Sequence, residues 1–280
     1  MHRLMLTFDV EDFINPNALN ALNLTLKMLE KYRLKAIFFI TGSMAEKLSN
    51  FPTIIERLQS HEIGFHSSGH SIHPIIPEYT DVKSYTQAYE ISLERETSHI
   101  NPLTGRMERE GGICFLQNLF KPKRIRAFRA PGMSWTPPHL EALAKLGIDS
   151  DFSSSLTKSE PFWFKGVTFY PYTFTQQWEG NRHHNQRFLS EILRRKVAIF
   201  DLHPTLYVNQ KVWDSIYRRG NPHRLCRVNE RPPEEAKSLF RKFELLLRQV
   251  SDLRNAGLIQ VDANLRTSPK ELSVGENQIW

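Results

Sequence analysis

Short apolar runs alternate with helical patterns along most of the chain, and this alternation restricts the fold more than any other feature. Parallel strands joined by helices bury both faces of a sheet in that order. Residues 3–10, 35–40, 62–65, 125–130, 148–152, 167–174, 197–202 and 258–261 have strand character. Between them, 18–32, 52–60, 137–146, 187–195 and 234–256 place Leu, Ile and Phe on one face at helical spacing. About seven or eight βα units result, which predicts an α/β barrel, complete or distorted. Two segments break the rhythm: 81–123, with helical stretches on either side of "NPLTG", and 204–233, directly after a strand. Insertions of this kind at a barrel mouth commonly form the substrate side of a site. The expected barrel domain is 1–265, followed by a polar C-terminal tail, "RTSPKELSVGENQIW", over 266–280.

With 280 residues, 40% of them hydrophobic, the chain can bury the core of one large domain. The first strand begins almost at Met1 without a charged leader, and no window approaches the roughly 20 apolar residues of a membrane span. A cytoplasmic protein is the expectation. Cys114 and Cys226 stand far apart, which argues against a disulfide framework. The formal charge of +7 is concentrated in part at Arg218, Arg219, Arg224, Arg227 and Arg231, beside His223. Such a run suits phosphate or carboxylate groups, or is a solvated loop. It has few interleaved aromatics and belongs to no nucleic-acid module, which argues against DNA or RNA as a partner.

The strand "LTFDVED" ends in Asp9, Glu11 and Asp12, where repulsion and desolvation both cost stability. A bound cation would offset that cost. In "EIGFHSSGHSIHP", His66 and His70 stand four apart and share a face if the segment is helical. Two imidazoles and one carboxylate make the usual catalytic zinc set, with a position left for water. His73 is an alternative ligand, disfavoured by the proline after it and its three-residue spacing. In "FRAPGMSW", Arg129 ends a strand, and the following Pro and Gly fix a turn whose N–H groups could face a ligand. Asp149 and Asp151 in "LGIDSDFSSS" and His203 in "AIFDLHPTLY" also sit at strand ends. In a βα barrel these ends share the face where an active site is expected.

Taken in order, "TFDVED", "HSSGH", "RAPG", "DSDFSSS" and "DLHP" resemble the five motifs of the polysaccharide deacetylase, or NodB-homology, family of carbohydrate esterases, over roughly 4–204. The resemblance implies a distorted (β/α)7 barrel with insertions at its mouth, a divalent metal, usually zinc, and hydrolysis of acetyl groups on sugars. It further implies Asp9 as catalytic base, His66 and His70 as metal ligands, and His203 as general acid. Arg129 resembles the arginine that orients the base, and Asp151 the carboxylate that pairs with it. The first motif departs from the common pattern, because Val10 separates the base from the next carboxylate. Some cytoplasmic members have that spacing, which points to Glu11 as the third ligand. Asp9 and Glu11 also share a side of an extended chain. Asp12 stays open as the alternative. A backbone N–H around Gly132 would help the metal stabilise an oxyanion. Trp135, with Trp163, Trp178 and Trp213, lies in or near expected mouth loops, where it could stack on sugar or serve packing.

These expectations combine into a cytoplasmic, metal-dependent hydrolase removing an N-acetyl group from a sugar destined for surface polysaccharide. A nucleotide- or lipid-linked precursor would place its phosphates on Arg224 and Arg227. Two other readings stay open: hydrolysis of a non-sugar amide on the same fold, and an inactive glycan-binding barrel. The sequence leaves the oligomeric state undetermined.

Overall fold

Strand β1 (His2–Val10) is buried from Leu4 onward, as a strand at the centre of a parallel sheet must be. The computed structural model describes residues 2–70, 82–102, 104–154, 160–175, 190–211, 227–263, 265 and 270–271. The other strands are β2 (Ala36–Ile40), β3 (Glu62–Phe65), β4 (Ser98–Ile100), β5 (Met107–Glu110), β6 (Ala127–Phe128), β7 (Ser150–Asp151), β8 (Phe162–Phe164), β9 (Val167–Phe169), β10 (Phe174–Thr175), β11 (Val197–Leu202), β12 (Ile259–Val261) and β13 (Lys270–Glu271). The helices are α1 (Ala18–Lys31), α2 (Gly42–Leu48), α3 (Pro52–Leu58), α4 (Tyr85–Glu96), α5 (Gly112–Leu119), α6 (Pro137–Lys145) and α7 (Pro233–Asn255).

Among the described residues, 11 strands form one curled sheet in the order β10-β11-β1-β2-β3-β6-β7-β9-β8-β13, with β12 on β1. All its pairings are parallel except the β8–β9 hairpin. One edge of β1 pairs with β11 over Arg3–Phe8, while β12 and β2 divide the other edge. This is the α/β, distorted NodB-type barrel that the strand and helix pattern and the family motifs led us to expect. Helices cover its outside: Leu19, Leu22, Leu26 and Leu29 of α1 and Phe243, Leu246, Leu247 and Val250 of α7 pack on Leu4, Leu6, Phe8 and Val10 in one cluster. Each such side chain contributes about 1.5–3 kcal/mol on burial. No helix among the described residues is long and apolar enough to cross a membrane.

Several boundaries differ from expectation. The run 167–174 is two strands, β9 on β7 and β10 on β11, because Pro171 between them has no N–H to continue a ladder. The 81–123 insertion holds α4, α5 and an antiparallel β4–β5 hairpin around "NPLTG". Within the expected tail, Lys270 and Glu271 pair with Phe162 and Trp163 of β8.

Candidate active site

Odd positions of β1 face the sheet's interior. Met5 clusters there with Ile37 and Phe39 of β2, Ile199 of β11, Phe152 and Tyr170. The same two-residue period turns Thr7, Asp9 and Asp201 inward and carries on to Glu11. The interior is therefore apolar at one end and ionisable at the C-terminal ends of the strands.

Arg129 follows β6 directly and is completely buried. Its Nη1 donates to Asp9 Oδ1 and to Asp201 Oδ1, each at 2.7 Å, and its Nη2 donates to Thr7 Oγ1 at 2.7 Å. Nε donates to the Phe152 carbonyl at 3.3 Å, and the guanidinium lies 4.5 Å over the Phe39 ring. Thr7 in turn donates to the Phe200 carbonyl at 2.7 Å. Asp9 thus has Oδ1 fixed by arginine, while Oδ2 stands 3.6 Å from His203 Nε2 and 3.8 Å from His66 Nε2. Asp201 belongs to "DLHP" but carried no role in the sequence reading; a lone acid within the apolar strand "VAIFDL" was the available signal. It takes the place expected of Asp151. Asp151 instead accepts from Ser153 N at 2.7 Å and Ser153 Oγ at 3.1 Å, since its strand turns at once into "FSSS". Burial pushes the Asp151 carboxyl up to about 7, although the Ser153 hydrogen bonds and Arg129 oppose it. Burial likewise raises Asp201, with Arg129 offsetting part.

Beside this set, Glu11 Oε2 lies 3.2 Å from His66 Nε2 and 2.6 Å from His70 Nε2. His66 Nδ1–H donates to the Arg129 carbonyl at 2.7 Å, which aims Nε2 at Glu11. Burial alone would raise the Glu11 pKa. The charge of His70 and hydrogen bonds from His66 and His70 outweigh it and hold the carboxyl well below its ordinary value. Burial opposes the charged form of His66, yet Asp9 and Glu11 leave its pKa raised. For His203 burial again acts downward, and Asp201, Glu11 and Asp9 raise the value.

One ligand atom from each of Glu11, His66 and His70 lies within 4.8 Å of the others, and the same holds for Asp9, Asp201 and His203. In the second group Arg129 already supplies the cation. In the first, Glu11 Oε1 is buried with no hydrogen-bond partner among the described residues. Two imidazole nitrogens and a carboxylate facing one point, with an unsatisfied carboxylate oxygen, fit a divalent ion of the zinc type. Asp12 is turned away: it accepts from Ile14 N, Asn15 N, Asn15 Nδ2 and Asn209 Nδ2 at 2.8–3.3 Å. The histidine segment is also not helical; Ser67 and His70 have φ of 63° and 54°.

The expected substrate contacts are less concentrated. Gly132 is exposed on the Pro131–Met133 turn with φ of 58°, a left-handed conformation that suits glycine. Trp135 is half-buried, its ring 5.3 Å from Phe169 and 6.5 Å from Phe164, so packing occupies it. Trp163 is exposed on β8. Arg227 is exposed, while Arg231 donates to the Leu206 carbonyl at 2.9 Å and pairs with Glu235. Arg224, Arg218, Arg219, His223, His73, Trp178, Trp213 and Cys226 lie outside the described residues.

No curated protein sequence matches the chain. Among solved structures, a 4-alpha-glucanotransferase from Thermococcus litoralis superposes with a TM-score of 0.55 at 13% identity, over 92% of this chain and 38% of that one. This likeness is one of fold. A CE4 esterase from Streptococcus mutans is 16% identical, with a TM-score of 0.48 over 90% of this chain and 82% of that one. A CE4 family pseudoenzyme from Bacillus anthracis is 14% identical, with a TM-score of 0.46 over 89% of this chain. The chain spans 61% of that pseudoenzyme's length. The family model described as polysaccharide deacetylase matches residues 2–150, a stretch that includes Asp9, Glu11, His66, His70 and Arg129. With more than half of its 280 residues matched, the chain belongs to the polysaccharide deacetylase family.

Proposed function

We propose that this protein is a metal-dependent hydrolase that removes the N-acetyl group of a sugar. The observation that carries the proposal is the placement of Asp9, with one oxygen fixed by Arg129 and the other turned toward His203 and the Glu11–His66–His70 group. Those three residues would hold the ion, which when bound supplies Lewis acidity for attack on an amide carbonyl. Asp9 Oδ2 takes the proton of the attacking water. Arg129, itself held by Thr7 Oγ1, keeps that carboxylate from rotating through its bond to Oδ1. His203, its pKa raised and its side chain 19% exposed where the other groups are sealed, gives a proton to the departing amine nitrogen. An amine leaves poorly unless it is protonated, so a carboxylate base and an imidazolium acid side by side in one site suit amide cleavage.

As substrate we favour a nucleotide- or lipid-linked precursor of surface polysaccharide, handled in the cytoplasm where such precursors are made. The exposed Arg227 and the arginine run around it support an acidic ligand. A pseudoenzyme among the similar structures raises the inactive-barrel alternative. The complete set of base, acid and metal-type donors in this chain favours activity. Incubating the protein with acetylated nucleotide sugars and matched neutral sugars, with and without Zn2+, and measuring released acetate tests the proposal. Acetate release that requires the ion is the expected result, greatest on the anionic sugars. No release from any sugar by metal-loaded protein would overturn it.

A further inference from the structure

The loop bearing His66 and His70 is gripped from behind by side chains outside the Glu11–His66–His70 group. Glu96, the last residue of α4, is completely buried. Its carboxylate accepts Ser67 Oγ–H at 2.9 Å, Ser68 N–H at 3.0 Å and His139 Nε2–H at 2.8 Å. Ser68 Oγ donates to the Arg95 carbonyl at 2.9 Å. His139, also fully buried, lies near the start of α6 with its ring edge-on to Phe128, the residue before Arg129. One buried pair therefore touches both the ligand loop and the strand end that positions Asp9.

For stability alone this is a poor arrangement. A carboxylate in the last turn of a helix meets the negative end of its dipole, and burial penalises the charge again. The groups that offset this cost are His139, the buried guanidinium of Arg95 and the ligand loop. The loop needs such restraint, since Ser67 and His70 hold left-handed φ values of 63° and 54°, conformations that persist only where the surroundings over-determine them. Packing is equally committed. At Gly112, with φ of 52°, a Cβ would fall 2.2 Å from both Ser68 Oγ and the Glu96 carbonyl. At Gly42 it would fall 2.9 Å from the Ser68 carbonyl. Backbone bonds from Gly42 N to the Ser67 carbonyl and from Ser43 N to the Ser68 carbonyl, each 3.0 Å, close the other side.

We propose that Glu96 and His139 are positioning residues that hold the His66–His70 loop in its ligand-ready shape, so that ion affinity and ligand geometry depend on this pair. The inference rests on the metal site proposed above. Neither residue touches a reacting atom; both act through Ser67 and Ser68.

The test compares the full-length parent with Glu96→Gln, His139→Leu, His139→Gln and Ser67→Ala. The readouts are Zn2+ affinity by chelator competition, visible absorption of the Co2+-loaded protein, and the melting temperature of the metal-free form. Glu96→Gln and His139→Leu should weaken Zn2+ binding about 10–100-fold, the usual scale for losing an outer partner of a metal ligand, and should shift the Co2+ bands. His139→Gln, which keeps a donor near the Nε2 position, should recover most of the affinity. Leu246→Ala, in the α7 core, should lower the melting temperature without moving either metal readout. Parental affinity and Co2+ spectrum in both Glu96→Gln and His139→Leu would overturn the inference, as would an equal loss in Leu246→Ala. Should those two variants not fold, Ser67→Ala decides: it leaves the Glu96–His139 bond intact and should weaken binding in the same direction by less, and no change overturns the inference. A parent that binds neither ion overturns the metal site and this inference together, whereas a binding parent with unaffected variants overturns this inference alone.

Discussion

Leu4, Leu6, Phe8 and Val10 point outward from β1 into α1 and α7, whereas Met5, Thr7 and Asp9 of the same strand point into the barrel with Arg129 and Asp201. On the outer face Phe8 stacks on Phe38 at 5.0 Å and meets Phe243 edge-on at 6.1 Å. On the inner face one guanidinium is shared by two carboxylates and a hydroxyl. Apolar burial stabilises the fold directly. A buried arginine with two aspartates must first offset the desolvation of three charges, and often does no better than apolar residues of the same volume. Adjacent residues of one strand thus meet different surroundings, the outer ones an apolar core and, on the inner side, Thr7 and Asp9 the buried polar group of the proposed site.

The largest effects should come from the inner side. His66→Ala or His70→Ala is expected to abolish stoichiometric metal binding and acetate release while leaving cooperative unfolding. Metal analysis of the purified variants checks this, and full occupancy in both would break the site assignment.

Asp9→Asn should retain metal yet lower turnover about 10²–10⁴-fold, the scale of a lost proton-transfer group. Phe8→Ala, one residue away, should lose about 3–5 kcal/mol of stability through its cavity and keep parental metal affinity in the folded protein. Denaturant unfolding and metal titration of both variants sharpen the comparison. It collapses if Phe8→Ala changes metal affinity, or if Asp9→Asn destabilises as much as Phe8→Ala.

A smaller effect is expected at His203. Burial works to lower its pKa from the ordinary 6.5, but Asp201, Glu11 and Asp9 raise it. The protonated acid is present below the raised value and is lost as pH rises through it, so turnover should decline on the alkaline side, at a pH above 6.5. His203→Ala should cost about 10²-fold and remove that alkaline limb. A pH profile in which the limb survives the substitution excludes His203 as its source.

The smallest change should follow Asp12→Asn. Asn can still accept from Ile14 N and Asn15 N, the bonds that hold Asp12 Oδ1, so metal affinity should stay at the parental level. Glu11→Gln should weaken it strongly. The reverse order in a Zn2+ titration would make Asp12 the ligand.

Strands β3 and β11 were legible to the residue and β1 and β2 nearly so, because short apolar-rich runs set between helical patterns have few other ways to be buried. Asp9 and Glu11 were legible as neighbours on one face from the two-residue period of a strand. The residues behind the site were not. Glu96 closes a helix with little apolar face, whose buried positions are Ala88, Ser92, Arg95 and Glu96, and His139 is one polar residue in another helix, with nothing local to tie either to the His66–His70 loop. The choice between Asp151 and Asp201 as partner of Arg129 was equally hidden. Both sit at or near a strand's C-terminal end, and only the pairing of the strands separates them: β11 lies beside β1 with Asp201 opposite Thr7, whereas β7 lies beside β6 with Asp151 opposite Phe128.

By itself the sequence determined the α/β order of elements, the parity of β1 and the set of ionisable residues gathered at strand ends, since burial and backbone periodicity act over a few residues at a time. The tertiary structure decided which oxygen of Asp9 meets Arg129, and that Glu96 and His139 back the His66–His70 loop. Those pairings join residues as much as 120 positions apart, and hydrogen bonds of 2.7–3.0 Å between them depend on how strands and helices are set side by side. No local pattern carries that information.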